Sequence, residues 1–198
     1  MMSLFFEVLP KAGQDATYFE IAAKLKPALD ASGGLLFLDR SRSAARPGWF
    51  LSHQFWRDEA SMVRWRADPT HHRAQVCGRT DVLADYRLRV GEVIASIGEG
   101  EPPAEAHSNS GETGRYVVSV LAGGHIPGLP GESFASVYDA ALSVIVIPVG
   151  TEGEGHDVLT RAGAHSALRF ARLSRISRDY GMSDRTEAPQ HFEPVTLS

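Results

Sequence analysis

The order of its apolar segments is what most limits the folds open to this chain. From residue 4 to residue 96 the pattern runs strand, helix, strand, strand, helix, strand. Residues 4–9, LFFEVL, predict a strand closed by Pro10 and the turn-forming KAGQD. Tyr18, Ala22, Leu25 and Leu29 recur at helical spacing and predict a helix over about residues 15–30, with Pro27 expected to kink it or end it early. LLFLDRS and WFLSHQFW, turned by RPG, read as a strand hairpin. Asp58 then caps a helix carrying Met62, Val63 and Trp65, and Glu59 places a carboxylate at its positive end. Asp68 and Pro69 make a corner, because the residue before proline avoids the helical region, and Pro69 opens a second short helix through Gln75. ADYRLRVGEVIAS supplies the fourth strand.

The same order returns in the second half without its first helix. RYVVSVLAG, SFASVYD, LSVIVIPV and ALRFARLSRIS read as strands, and GHDVLTRAGAH as a helix before the last of them. Setting Gly98 against Gly181 places Ala84 opposite Ala167, Arg89 opposite Arg172, Val90 opposite Leu173 and Val93 opposite Ile176. Only ten residues separate Gly123 from Phe134, too few for the missing helix and its turns. The expectation is a tandem repeat with a reduced second copy: residues 1–98, a Gly, Pro, Ser and Glu-rich linker or excursion at 99–114, the second copy at 115–181, and an extension at 182–198. Each copy makes a four-stranded antiparallel sheet with helices on one face. Two such sheets packed face to face would cover each other.

Composition removes several function classes. A net charge of -4 gives no pull toward nucleic acid or an anionic membrane surface. LSVIVIPV, the most apolar run, is far short of a bilayer span. The start, MMSLFFEVLPKAG, has no signal-peptide pattern, and Cys77 is the sole cysteine, so a cytoplasmic protein is expected. The histidines, at 53, 71, 72, 107, 125, 156, 165 and 191, form no ligand motif. His53 near His71 is the one pairing to look for. The glycine and glutamate run at 150–155 lacks the lysine and hydroxyl residue of a phosphate loop.

The stretch RWRADPTHHRAQ, residues 64–75, gathers the candidate chemistry. Trp65 belongs on the apolar side of its helix, as core or cavity wall, and Trp56 at the end of a strand has the same two readings. His71 and His72 cannot both face inward, since consecutive helical side chains diverge by roughly 100°. Either imidazole could serve as a base toward a phenolic substrate, or cap and hydrogen-bond at the surface. Arg64, Arg66 and Arg73 read as solvated pairs or a subunit contact. Arg89 lies among apolar strand residues and needs a carboxylate if it points inward. Glu7, on the first strand, is the expected partner, in a structural pair or at a pocket wall. The tail from Asp184 is expected to lie over another copy or subunit, with Phe192 as its anchor.

These segments resemble the antibiotic biosynthesis monooxygenase family of the dimeric α+β barrel superfamily. The resemblance is carried by FEVLPKAG, by ALD with its following glycines, by SHQFWRDEASMVRWRADPTHHRAQ and by ADYRLRVGEV, and more weakly by SFASVYD, LSVIVIPV and RISRDYGM. It implies an α+β fold of two ferredoxin-like repeats forming an intrachain dimeric α+β barrel. It also implies a cavity between sheet and helices, and cofactor-independent oxygenation of an aromatic or polyketide-like small molecule. His71, chosen over His72 on the resemblance, and Arg89 are then the candidate catalytic groups, with Phe6, Glu7, Trp56 and Trp65 lining the substrate. A pseudo-dimer that only binds a ligand or serves a structural role is the competing expectation. Haem is a third, because the haem-degrading branch has a tryptophan where Trp65 stands. That branch's asparagine and histidine positions fall here near Leu4 and at Ala74. A monomeric pseudo-dimer and a homodimer both fit.

Overall fold

The structure is a computed structural model that describes residues 1–100, 115–124, 126–189, 192 and 196. The expected linker, apart from Glu99 and Gly100, and His107, His125 and His191 lie outside the described residues. The elements follow the expected order: β1 (Met2–Pro10), α1 (Asp15–Ser32), β2 (Leu35–Ser43), β3 (Phe50–Trp56), α2 (Glu59–Ala67), α3 (Pro69–Cys77) and β4 (Leu83–Gly98), then β5 (Tyr116–Ala122), β6 (Glu132–Ser136), β7 (Ser143–Val149), α4 (Glu152–Gly163) and β8 (Leu168–Gly181). A single π-helical turn, Gly78–Val82, joins α3 to β4. Pro27 does not end α1. The helix continues to Ser32 and stops at Gly33 and Gly34, both at positive φ. Gly34 is also required by space, since a Cβ there would sit 2.3 Å from Ser61 Oγ on α2.

The two sheets are joined at both edges, so they close into one barrel of order β1-β3-β2-β6-β7-β5-β8-β4 rather than remaining a face-to-face sandwich. β2 pairs with β6 (Ser41 with Ser136), and β4 pairs with β8 along most of its length (Arg87 with Gly181 through Gly98 with Phe170). Closure satisfies the edge amides and carbonyls that two separate sheets would leave open. Within the circle, the first half reads β4-β1-β3-β2 and the second β8-β5-β7-β6, the same order four elements on.

Strand alternation sorts the side chains into two environments. Phe5, Leu51, Phe55, Val93, Val117, Leu121, Phe134, Val144 and Phe170 point inward and meet as one cluster filling the lumen. On the outer face of the first half, Leu4, Trp56, Leu88 and Val90 meet Leu25 and Leu29 of α1 and Met62 and Trp65 of α2. Beneath α4 the outer face of the second half is closely packed, with open grooves along the helix's flanks. Val158, Leu159 and Ala162 of α4 pack on Val118, Val120, Ile145 and Leu173, and Ile126 from the β5–β6 connection fills the space beside them. Gly155 allows this approach, for a Cβ at that position would lie 2.4 Å from Leu173 Cδ1.

Candidate active site

A cavity of about 230 Å³ lies between the outer face of the first-half sheet and α1, α2 and α3. Its floor is apolar: Leu4 and Phe6 of β1 with Leu88 and Val90 of β4. Ile21, Leu25, Met62 and Trp65 form the roof. The cavity exists here because three helices and the tail stand over this face, whereas α4 and Ile126 fill the matching face of the second half.

Local sequence positions His71 in this wall. Asp68 accepts hydrogen bonds from the backbone N–H of Thr70 and His71 at 2.8 and 2.9 Å, starting α3 at the corner with α2. That corner folds the His71 ring back over Trp65, with centroids 4.2 Å apart and planes inclined by 12°. Nδ1 lies 3.0 Å from the Trp65 carbonyl oxygen. A carbonyl only accepts, so Nδ1 carries the proton and Nε2 keeps the lone pair. Burial pushes the His71 pKa below the ordinary imidazole value, against the smaller opposing pulls of the Trp65 carbonyl and Asp68. The ring is therefore a neutral base on the wall of an apolar chamber.

Two polar ends flank the apolar floor. At one, Arg66, Arg79, Arg178 and Arg185 surround Tyr86 and Tyr180, and all six line the cavity. Arg79 and Arg185 each donate to the Tyr86 hydroxyl at 2.6 Å. Arg66 is held below the usual guanidinium value first by burial and then by the neighbouring Arg178 and Arg185 charges. Burial raises Tyr180 above the ordinary phenol value. At the other end stand Tyr18 of α1, Arg40 of β2, and Ser52 and Gln54 of β3. Gln54 donates to Ser52 Oγ at 3.1 Å and accepts from Trp56 Nε1 at 2.9 Å.

The expected site residues divide. Phe6, Trp65 and His71 come together at the cavity. Trp56 does not reach it; it is fully buried, supporting the site from behind through its hydrogen bond to Gln54 and its packing among the wall residues Leu4, Met62, Trp65 and Val90. His72 is exposed on α3, stacked at 5.7 Å on Phe192, and is not part of the wall. Glu7 and Arg89 form the expected pair, at 2.5 Å, but inside the barrel lumen, on the opposite face of the sheet from the cavity. Alternation makes this unavoidable: with Leu4 and Phe6 facing the helices, Phe5 and Glu7 face inward, and Arg89 shares Phe5's position in the register. His53 points into the same lumen, stacked on Phe5 at 4.8 Å, so it does not approach His71. Arg66 is a wall residue and not solvated surface, while Arg64 and Arg73 stay on the helix exteriors, bonded to Ser61 and Thr70.

Sequence reasoning missed Tyr18, Arg40, Ser52, Gln54, Arg178, Tyr180 and Arg185 as walls. Ser52 and Gln54 were visible as the alternate set of SHQFW, on the side of Trp56. Arg178 and Tyr180 were not. In β8 the partner of β4 steps from Ile176 to Arg178 between Gly91 and Val90, leaving Ser177 as a bulge that reverses the alternation. Ile176 therefore faces the lumen, and Arg178 and Tyr180 face the first-half cavity. Arg185 and Phe192 arrive with the tail, which packs over the first half through Met182 and Ala188 against Val8, Phe50 and Val82.

Of the three residues that mark the haem-degrading branch, this wall has the tryptophan, Trp65, at its matching position. Leu4 and Ala74 both line the cavity where the haem-degrading branch has its asparagine and histidine, and neither side chain can ligate iron. His71, one helical turn from Ala74, has Nδ1 on the Trp65 carbonyl and keeps the Nε2 lone pair on this wall. Among the described residues no group of three or more His, Cys, Asp or Glu is placed to hold a metal ion. None of their helices is long and apolar enough to cross a membrane.

Comparison with known proteins places this geometry in a family. The antibiotic biosynthesis monooxygenase model matches residues 1–76. The protein named jasmonate monooxygenase ABM of Pyricularia oryzae is 36 % identical over 220 residues, spanning 99 % of this chain and 100 % of that protein. A putative antibiotic biosynthesis monooxygenase from Deinococcus radiodurans is 20 % identical, with a TM-score of 0.41 over 51 % of this chain and 96 % of that one. The aldoxime dehydratase OxdRE, in complex with butyraldoxime, shares the fold across 88 % of this chain and 79 % of its own, at a TM-score of 0.53 and 10 % identity. With a full-length relative at this level of identity, the chain belongs to the antibiotic biosynthesis monooxygenase family.

Proposed function

We propose that this protein is a monooxygenase for a small apolar molecule bearing a carboxylate, and that it works without metal or flavin. The observation that carries the reading is the gathering of Arg66, Arg79, Arg178 and Arg185 at one end of a cavity whose floor is apolar. Like charges brought together and partly desolvated repel, and an anionic ligand head relieves that repulsion while its body covers the floor. Arg178 holds Glu59 at 2.7 Å on the exposed side. Arg66 and Arg185 donate to the carbonyls of Pro189 and Phe192. The name of the fungal relative points the same way, jasmonate being a carboxylate with an apolar body. An aromatic or polyketide-like acid meets the same requirement.

His71 supplies the chemistry the protein must add. Its Nε2 removes a proton from a carbon acidified by a neighbouring carbonyl or phenol, and the resulting anion is electron-rich enough to reduce dioxygen in a water-poor chamber. For a methylene the balance closes without an external reductant: CH2 and O2 give C=O and H2O. Hydroxylation of a single C–H takes two further electrons and two protons from a donor in solution.

We also propose that residues 1–98 and 115–181 are tandem copies, joined through 99–114 and followed by the 182–198 extension. Their shared strand order supports this, with the second copy reduced to a structural half. Barrel closure then uses the sheet edges of both copies, which favours a monomer, and the lone Cys77 suits a reducing cytoplasm.

Dioxygen uptake by the purified protein, with jasmonic acid and with an anthrone carboxylic acid, tests the reading. It requires one labelled oxygen atom in the product when labelled dioxygen is supplied. It also requires Arg66→Gln and Arg178→Gln to weaken binding of the acid and leave that of its methyl ester unchanged. Tight binding with no oxygen uptake would replace it with the non-catalytic binding protein.

A further inference from the structure

We propose that Arg40, held by Tyr138 from the second half of the chain and sharing the wall with Tyr18 from α1, is the oxyanion-binding group of the cavity. In this role it takes the phenolate or enolate oxygen of the ligand at the end opposite the arginine cluster. The proposal rests on the cavity being a ligand site, and it goes beyond the reading above by naming a second polar group that the ligand must carry.

The physical reason is an uncompensated buried cation. Arg40 is only 9 % exposed. Its partners are phenols: Nη1 donates to the Tyr138 hydroxyl at 2.5 Å, and the guanidinium charge acts on the Tyr18 phenol beside it. Among the described residues it has no ion pair with a carboxylate, in contrast to Arg89, which is also buried but lies 2.5 Å from Glu7. Its Nε, like that of Arg89, is buried with no hydrogen-bond partner among the described residues. A guanidinium desolvated in this way is costly unless a negative oxygen meets it, and the residue lines the cavity beside Ser52 and Gln54, two further groups able to hydrogen-bond that oxygen.

Geometry separates this end from the other. Arg40 lies on β2, while Arg178 and Tyr180 lie on β8, and the strands between them in the barrel are β3, β1 and β4. Four strand spacings of about 4.8 Å put the two ends on the order of 20 Å apart along the curved sheet. Long arginine side chains reaching inward from both ends shorten that span. The ligand class follows: an acid at one end, an ionisable oxygen at the other, and an apolar body between.

The arrangement also assigns work to the reduced second copy. Tyr138 sits in the β6–β7 turn, which reaches Arg40 because the backbone N–H of Val137 donates to the Arg40 carbonyl at 2.8 Å. At 61 % exposure Tyr138 contributes little packing, so its contact with Arg40 is its main engagement with the first half.

The test uses 4-nitrophenol, which has an ionisable oxygen and no carboxylate and needs no turnover; the effect of replacing Arg40 shows whether its oxygen sits at this end. The probe bound to the wild-type protein is titrated by its phenolate absorption, and the same is done with Arg40→Gln and Tyr138→Phe. The expected result is a bound pKa below that of the free probe, raised by about one pH unit or more in Arg40→Gln and by less in Tyr138→Phe, whose exposed position spares the fold. Failure of the probe to bind the wild type, or the same bound pKa in wild type and Tyr138→Phe as in Arg40→Gln, would overturn the proposal. Neither result bears on oxygen uptake with the acids, so the two readings fail separately.

Discussion

The imidazole of His71 lies flat against the indole of Trp65, 4.2 Å between centroids, while its Nδ1–H is engaged by the Trp65 carbonyl at 3.0 Å. One residue therefore fixes the ring's plane and its tautomer together. A positioned base of this kind contributes about 10²- to 10⁴-fold to a proton transfer, and His71→Asn is expected to lower turnover by that range with the fold retained. The sign of the pH dependence follows from burial. Because the His71 pKa is depressed, the base stays neutral below the ordinary imidazole value, and activity falls only as pH drops through the lowered pKa. A rate profile in which the acid limb lies at or above the value of free imidazole, or in which His71→Asn retains full rate, would remove His71 from the chemistry.

Much of this wall was legible and part of it could not be. The capped corner at Asp68 and Pro69 was readable from local chemistry, and it alone places His71 over Trp65. Phe6 and Glu7 cannot line one pocket, because adjacent strand residues face opposite ways, a separation that alternation along β1 already contains. Arg178 and Tyr180 were beyond reach because a bulge at Ser177 reverses their faces, and a bulge depends on strand pairing across the closed barrel. Nothing in the hairpin sequence sets Arg40 apart; what makes it distinctive is Tyr138, 98 positions along the chain.

Inside the lumen, His53 has no exposure and neither ring nitrogen has a partner. Burial, followed by the charges of Arg172 and Arg89, lowers its pKa from 6.5 to about 3. The unfolded chain takes up a proton below pH 6.5, while the native ring stays neutral until about 3. The unfolded state thus binds more protons in that window, and His53 makes stability fall as pH falls, by roughly 1.4 kcal/mol per pH unit. His53→Leu is expected to match or exceed wild-type stability at pH 7, since it removes unpaired polar atoms, and to lose less stability between pH 6 and pH 4.5. Denaturant unfolding of both proteins across that range reads the difference, and parallel curves would contradict it.

Glu7 is the counter-ion of two arginines, with Arg89 at 2.5 Å in the lumen and Arg46 at 2.5 Å toward its mouth. Arg46 also holds Glu132 at 2.7 Å, so it keeps a partner when Glu7 is lost, whereas Arg89 does not. Glu7→Gln is expected to cost about 3–5 kcal/mol, the penalty of leaving a buried charge unpaired. Glu7→Gln combined with Arg89→Met should recover most of it. Because the pair lies across the sheet from the cavity, ligand affinity of the folded variants should be unchanged. A loss of affinity in the stable double variant would return the pair to the binding site.

The second half offers the converse case, a face where closeness replaces a cavity. Gly155 faces Leu173 so tightly that a Cβ would fall 2.4 Å from Cδ1 and 2.8 Å from Cδ2, and Leu173 is completely buried, which denies its side chain room to swing away. Gly155→Ala raises the intrinsic helix propensity of α4, a gain of about 1 kcal/mol in an exposed helix interior. Overpacking against a fixed neighbour costs about 1–3 kcal/mol, so the net change is expected to be a loss of stability despite the better helix former. Leu173→Ala alone should cost about 2–5 kcal/mol through the cavity it leaves. The double variant should be less destabilised than the sum of the two, because the added methyl occupies part of that cavity. Strict additivity in unfolding free energies would show that the helix moves off the sheet instead. In that event the close approach at Gly155 would not be what keeps this face shut.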